Sequence, residues 1–229
     1  TRVLASRFGF VTVGWNGFNV LQTAAARVGG MDLGLTPTEG GMCTREMITA
    51  SKAGNLKALY LLGADEIDLS GLGEVFLIYQ GHHGDEGAQR ANVILPGAAY
   101  TEKHGYYVNT EGRVQQAYPA TEPPGEAKED WTIIRALSDV LGHTLGYNNI
   151  NELRQNMTQR VPYFSHVGEI TAAEWLDVDD IKNIHFNDKS LSSAICDYFT
   201  TDPISRSSEV MAECNRRALL STSIKEMRG

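Results

Sequence analysis

Long apolar runs are missing from this chain. The compact stretches that exist, such as VFLIY (Val75 to Tyr79), fall far below the roughly 20 residues that a helical membrane span requires. No direct membrane span is therefore expected. Cysteine is also scarce. Cys43, Cys196 and Cys214 are odd in number and widely separated, which fits neither a disulfide framework nor a metal-ligand spacing. Three structural thiols in a reducing compartment are expected, with no metal. An excess of positive charge is absent as well, since the formal net charge is −8. Lys and Arg outnumber Asp and Glu by six to three in residues 1–60, but the balance is five to thirteen in 61–150 and nine to twelve in 151–229. The middle and tail are poor candidates for a phosphate-backbone surface, so no nucleic-acid partner is expected.

Cofactor and nucleophile fingerprints fail too. Neither Gly-x-Gly-x-x-Gly nor Gly-x-x-x-x-Gly-Lys occurs, and there is no Gly-x-Ser-x-Gly elbow. What is present is 229 residues with 42% hydrophobic and 21% charged content, enough for one substantial domain plus an appendage, or for two small domains. The start at Thr1, without an initiator Met, suggests a processed chain or one part of a longer polypeptide. Residues 1–31 carry Arg2, Arg7 and Arg27 and no acid, a composition shared with organelle targeting segments. The stretch GFVTVGWNGFNVLQTAAARVGGMDLG nevertheless reads better as mature structure.

Periodicity places the elements. Val3 to Val13 is apolar and β-branched enough for a strand, though irregular. Phe18, Leu21, Ala25 and Val28 form an amphipathic helical stripe that Asn16 could cap and Gly29 could end. A short helix followed by a strand from Leu56 to Leu62, closed by Gly63, is expected next. Further strands are expected at Val75 to Tyr79 and Val93 to Leu95. Short apolar runs stopped by Gly or Pro, without polar alternation, suit strands covered on both faces, hence an α/β fold with a parallel sheet flanked by helices. Glu126 to Leu141 has acids in its first turn and Ile134, Leu137 and Leu141 on one face, which predicts a helix. Beyond Gly146 the texture turns polar, so an α/β domain over 1–146 and an irregular extension over 147–229 are expected. The extension should wrap a neighbour or its own domain and end in a helix capped by Asp202, with Pro203 in its first position and Ile204, Met211, Cys214 and Ala218 on one face.

Three groups could carry chemistry. His82 and His83, with Asp85 and Glu86 nearby, invite a metal, yet adjacent side chains diverge on a strand or helix and two more ligands in defined geometry would be needed. A strand-to-helix turn is the plainer reading. The acid pairs Asp179/Asp180 and Glu129/Asp130 read as solvated helix starts. The third group is ILPGAAYTEKHGYYVNTEGRVQ (Ile94 to Gln115), where a strand gives way to a loop containing Glu102, Gly105 and Arg113. Gly112 can take backbone angles closed to other residues, and Arg113 offers a planar fork. Either a Glu102–Arg113 pair locks this loop internally, or the loop faces a cofactor.

The segment YQGHHGDEGAQRANVILPGAAYTEKHGYYVNTEGRVQQAYPATEPPGEAKEDWTIIRALSDVLG closely resembles the C-terminal third of the largest iron-sulfur subunit of NADH:ubiquinone oxidoreductase, respiratory complex I (the 75 kDa subunit class). The likeness is good over Asn16 to Gly142, moderate over Tyr198 to Ala218, and poor over Tyr147 to Asp197. That region of the family is similar to molybdopterin oxidoreductases, in which a loop of this kind lies near the pterin nucleotide. The resemblance implies the same architecture without the molybdenum cofactor, with Glu102, Gly105, Asn109, Glu111, Gly112 and Arg113 as vestigial pterin-loop positions. It also implies a redox-silent, non-catalytic structural part of the subunit. The iron-sulfur clusters are expected in an N-terminal part not contained in this sequence, because a cluster needs several thiolates that are missing here. The implied partners are that N-terminal half, as a separate chain or upstream region, and other peripheral-arm subunits. The implied location is the matrix side of the mitochondrial inner membrane. The alternatives are the tail of a working molybdopterin enzyme, such as a formate dehydrogenase, and an independent binding module.

Overall fold

A computed structural model of the chain describes residues 2–12, 15–170, 190 and 197–226. Cys196 and the Asp179/Asp180 pair lie outside the described residues. The chain opens with helix α1 (Arg2–Arg7) and a small antiparallel ribbon of β1 (Val11–Thr12) and β2 (Trp15–Asn16). A single strand over Val3 to Val13 does not form. The Phe8 N–H closes back onto the Leu4 carbonyl at 2.9 Å, and Gly9 then turns the chain at φ +71°.

The next helix, α2 (Arg27–Asp32), also corrects the sequence reading. It begins beside Val28 rather than at Asn16, and it runs through Gly29 instead of stopping there. Leu21 of the expected stripe is 84% exposed. The physical reason is tertiary contact: Gly29 is buried, and a Cβ on it would stand 3.4 Å from Val108 Cγ2, at van der Waals contact, so this face of α2 is packed against its neighbour.

There follow α3 (Thr44–Lys52), β3 (Ala58–Leu62), β4 (Phe76–Gly81), α4 (Glu86–Arg90), β5 (Val93–Pro96), β6 (Gly105–Val108), β7 (Val114–Ala117), α5 (Asp130–Val140), α6 (Ile150–Arg160), a 3-10 turn at Pro162–Ser165, α7 (Pro203–Arg206) and α8 (Glu209–Glu226). Contacts gather these elements into two compact units, one from Thr1–Thr36, Gly105–Ala117 and Tyr147–Ala194, the other from Pro37–His104, Tyr118–Gly146 and Ile195–Gly229. The crossing at Gly146 to Tyr147 is the one at which the sequence divides. The other crossings have no counterpart in that division.

The second unit holds the parallel sheet, in the order β3-β4-β5. Leu59 pairs with Leu77 and Leu61 with Tyr79. Leu61, Leu77 and Tyr79 close a core with Leu69 and Ala88, the latter carried by α4. Burying each large apolar side chain of this kind contributes about 1.5–3 kcal/mol. The fold is α/β as expected, but coverage differs between the faces: on the side opposite Leu77 and Tyr79, Leu62 and Phe76 are each 49% exposed. On α5, Ser138 is the buried residue, whereas Leu141, expected on the inner face, is 64% exposed. Asp202 caps α7 and Pro203 opens it, as expected, although the chain breaks at Ser207 before continuing as α8.

The first unit is built on the antiparallel hairpin β6–β7, where the sequence suggests only a loop. Val108 and Val114 face each other in register and bury against Phe164, with Val28, Met157 and Val161 around them. Phe164 stacks parallel to Tyr106, centroids 6.5 Å apart, and the Arg154 guanidinium lies 4.8 Å from the centre of the Tyr106 ring. The segment after Tyr147 thus folds back on its own chain. Its helix α6 starts where the Asn149 side chain accepts from the Asn151 and Glu152 N–H groups at 3.1 and 3.0 Å.

Candidate functional site

The pterin-loop positions fall in two places. Glu102 belongs to the unit of the parallel sheet, and Gly105, Asn109, Glu111, Gly112 and Arg113 to the hairpin unit. Each set finds its partners locally. Glu102 accepts from the Ala99 N–H at 2.9 Å and returns its own N–H to the Ala99 carbonyl at 3.0 Å. In the hairpin turn, Asn109 Oδ1 accepts from the N–H groups of Glu111 at 3.1 Å and Arg113 at 2.9 Å. This is the backbone-mimicking turn that Asn favours. Gly112 sits at φ +86°, which a residue with a Cβ adopts only under strain.

The pairing of Glu102 with Arg113 is replaced by a nearer one. Arg113 Nε lies 2.7 Å from Glu111 Oε1, and Arg113 also donates to the Gly168 carbonyl. Hydrogen bonds from Arg113 and Asn109 hold the Glu111 carboxyl below its usual range. The 168–170 segment lies along β7, with the Gly168 N–H on the Val114 carbonyl at 2.8 Å and Arg113 bridged to Ile170. Glu102 Oε2, the Asn109 amide and the Nε and NH1 groups of Arg113 thus each have a partner within the chain.

A second constellation sits at the carboxyl end of the parallel strands, where open α/β sheets bind their ligands. Gln80, at the end of β4, is fully buried. Its amide donates to Asp130 Oδ1 at 2.8 Å, and its carbonyl oxygen accepts from the Tyr60 hydroxyl. Asp130 also pairs with Lys103. Beside it, Glu129 spans His104 Nδ1 at 2.8 Å and the Trp131 indole N–H at 2.7 Å. Gly97 completes the enclosure, since a Cβ there would come within 2.9 Å of Asp130 Oδ1. Glu129 and Asp130 do start a helix, but they are tied into a polar network rather than merely solvated. Sequence reasoning missed Gln80, Lys103 and His104. The available signal was one amide interrupting an otherwise apolar strand.

His82 and His83 do come together, Nδ1 to Nδ1 at 2.8 Å, so one ring donates and the other accepts. Burial first, then His83 and Lys103, push the His82 imidazole below its ordinary range. Among the described residues no group of three or more His, Cys, Asp or Glu side chains could hold a metal ion. Cys43 is exposed and Cys214 half-buried, and both are free thiols. A groove of about 440 Å³ in the hairpin unit is lined by Gln22, Val28, Tyr107, Asn109, Gln115 and Gln116 among others. Neutral amides dominate its polar lining, joined by the Tyr107 and Thr110 hydroxyls, and no charged side chain lines it. No helix among the described residues is long and apolar enough to cross a membrane.

The residues that build the parallel sheet and this hairpin fall within the range matched by a known family. The family model described as molybdopterin oxidoreductase covers residues 1–140, and the chain belongs to that family. More particularly, residues 170–214 match the model for the C-terminal region of an NADH-ubiquinone oxidoreductase subunit. The chain is 41% identical over 90% of its length to the 78 kDa mitochondrial subunit of NADH-ubiquinone oxidoreductase from Neurospora crassa, and 44% identical over 89% to the 75 kDa subunit from Reclinomonas americana. Its likeness to the mitochondrial iron-sulfur protein 1 of NADH dehydrogenase from Solanum tuberosum is 38% over 93%. The chain spans only 27%, 29% and 28% of these relatives, respectively. They do not favour the formate dehydrogenase alternative.

Proposed function

We propose that this chain is a redox-silent structural part of the largest iron-sulfur subunit of respiratory NADH:ubiquinone oxidoreductase. It supports electron passage from NADH to ubiquinone without carrying electrons, and it is not an enzyme by itself. The observation that carries this reading is the internal satisfaction of the loop: Glu102, Asn109 and Arg113 spend their polar atoms on the chain's own backbone and on Glu111. These internal bonds hold the loop in place without a pterin, and a ligand taking the same donors and acceptors would have to displace them. The scarcity of thiolates supports the same reading for iron-sulfur clusters.

The partners are the cluster-bearing N-terminal half of the subunit, as a separate chain or an upstream region, and other peripheral-arm subunits, on the matrix side of the mitochondrial inner membrane. The exposed Leu62 and Phe76 give the sheet an apolar surface that suits association. Native electrophoresis in mild detergent, combined with metal analysis of the 25.1 kDa species, tests both parts. Co-migration with NADH dehydrogenase activity and no stoichiometric iron or molybdenum on the isolated chain is the expected result. Stoichiometric metal or flavin on that species, or migration as a free monomer away from respiratory complexes, would overturn the proposal.

A further inference from the structure

The tail of the chain returns to the carboxyl edge of the sheet through one side chain. Arg206, the last residue of α7, directs its guanidinium at two loops that follow adjacent strands. Its Nε pairs with Asp85, just after β4, and its NH2 reaches Glu66 Oε1 at 3.5 Å, just after β3. NH2 also approaches the Asp65 carbonyl at 3.5 Å, and NH1 the Thr200 carbonyl at 3.3 Å.

Both loops are already organised to meet it. Asp65 accepts from the buried Tyr79 hydroxyl at 2.8 Å, and Asp85 caps α4 through the Glu86 N–H at 2.9 Å. The tail is organised too. Asp197 accepts from the N–H groups of Phe199 at 2.7 Å and Thr200 at 3.1 Å, and from the Asn215 amide of α8 at 2.9 Å. Asp202 accepts from the Ile204 and Ser205 N–H groups at 2.9 and 3.1 Å.

We propose that residues 197–206 form a strap, with Arg206 as its latch, that closes the crevice at the carboxyl end of β3 and β4 by seating a guanidinium between the two strand-end loops. In open parallel sheets that crevice is where ligands enter. Here it is an acid-lined seat for a planar cation, and the chain supplies the cation itself. A lysine would not replace it, because a single ammonium cannot present the planar fork that engages Asp85, Glu66 and two carbonyls together. The inference deepens the cofactor-free reading and rests on it, but the two fail separately. Metal on the purified chain would end that reading and leave the latch standing, whereas the experiment below addresses the latch alone.

The test is hydrogen–deuterium exchange of the full chain as wild type, Arg206→Ala and Arg206→Lys. Exchange should rise at least tenfold in residues 64–66 and 82–90 of the Ala variant, rise less in the Lys variant, and stay unchanged in the β6–β7 hairpin. Millimolar ethylguanidinium should restore protection in the Ala variant, and tetramethylammonium at the same concentration should not. Unchanged exchange at these loops, an equal rise throughout the chain, or rescue by both cations alike would each overturn the latch.

Discussion

Gln80 donates its side-chain amide to Asp130 at 2.8 Å across fifty residues of sequence, from a position with no solvent exposure. The same amide's carbonyl oxygen takes the Tyr60 hydroxyl, so one residue satisfies partners on β3 and α5. Replacing Gln80 with Leu takes a hydrogen bond from each of two half-buried groups, of which Asp130 keeps its Lys103 partner. An intramolecular hydrogen bond contributes about 0.5–1.5 kcal/mol net, and a loss in that range is expected in chemical denaturation. A variant as stable as wild type would show that water or a neighbour takes the place of the amide.

His82 sets an acid limit on stability. Burial, with His83 and Lys103, lowers its affinity for a proton below that of the unfolded chain, whose value is 6.5. Between the two values the unfolded state binds more protons, so stability rises with pH. The contribution is complete above 6.5 and is lost as pH falls through 6.5 toward the lowered folded value. Thermal melts of wild type and His82→Gln between pH 7.5 and 5.5 should diverge, with the wild type losing stability more steeply on the acid side. Parallel pH profiles would remove His82 from this role.

Two glycines separate backbone crowding from backbone freedom. A Cβ on Gly73 would meet the Ser51 carbonyl oxygen at 2.6 Å, whereas one on Gly146 meets nothing within 4 Å. Forcing atoms into a filled space typically costs about 1–3 kcal/mol. Gly73→Ala should therefore lower the melting temperature, and Gly146→Ala should leave it unchanged or raise it slightly by restricting the unfolded chain. Equal effects at the two positions would contradict the contact at Ser51.

Phe164, 1% exposed, ties the 3-10 turn to the hairpin through Tyr106 and Val114. Truncation to Ala removes a large buried ring, for which a loss of about 3–5 kcal/mol is expected. Limited proteolysis should then cut first between residues 147 and 170, within the same unit, with the parallel-sheet segments following later. Cleavage starting in the β3–β4 region would show that Phe164 does not hold this unit.

The parallel strands were legible because each is a short apolar run ended by a residue that interrupts pairing, and Gly63, at φ +54°, turns the chain after β3 as its position suggests. Asp202 and Pro203 were legible for a similar reason: capping is a local interaction between residues a few positions apart. α6 offered the same kind of signal in Asn149 and Glu152, but its polar composition masked it. α2 was misplaced because its position depends on Gly29 meeting Val108, a contact that no local period reveals. The loop residues were identified as a group, yet their partners were not. Arg113 chose Glu111 two residues away over Glu102, since the hairpin turn brings the nearer carboxylate to hand.

The interleaved path of the chain also has a consequence for biosynthesis. Val108 and Val114 are made well before Phe164, the ring that completes their core. Ribosomes add roughly 5–20 residues per second, so the hairpin waits several seconds, with about fifty residues still to come, before its apolar side is sheltered. During that interval the nascent chain presents two valines and Tyr106 to whatever chaperone stands at the exit. A synonymous-codon change that slows translation between residues 120 and 160 would lengthen that exposure without altering a single atom of the finished protein.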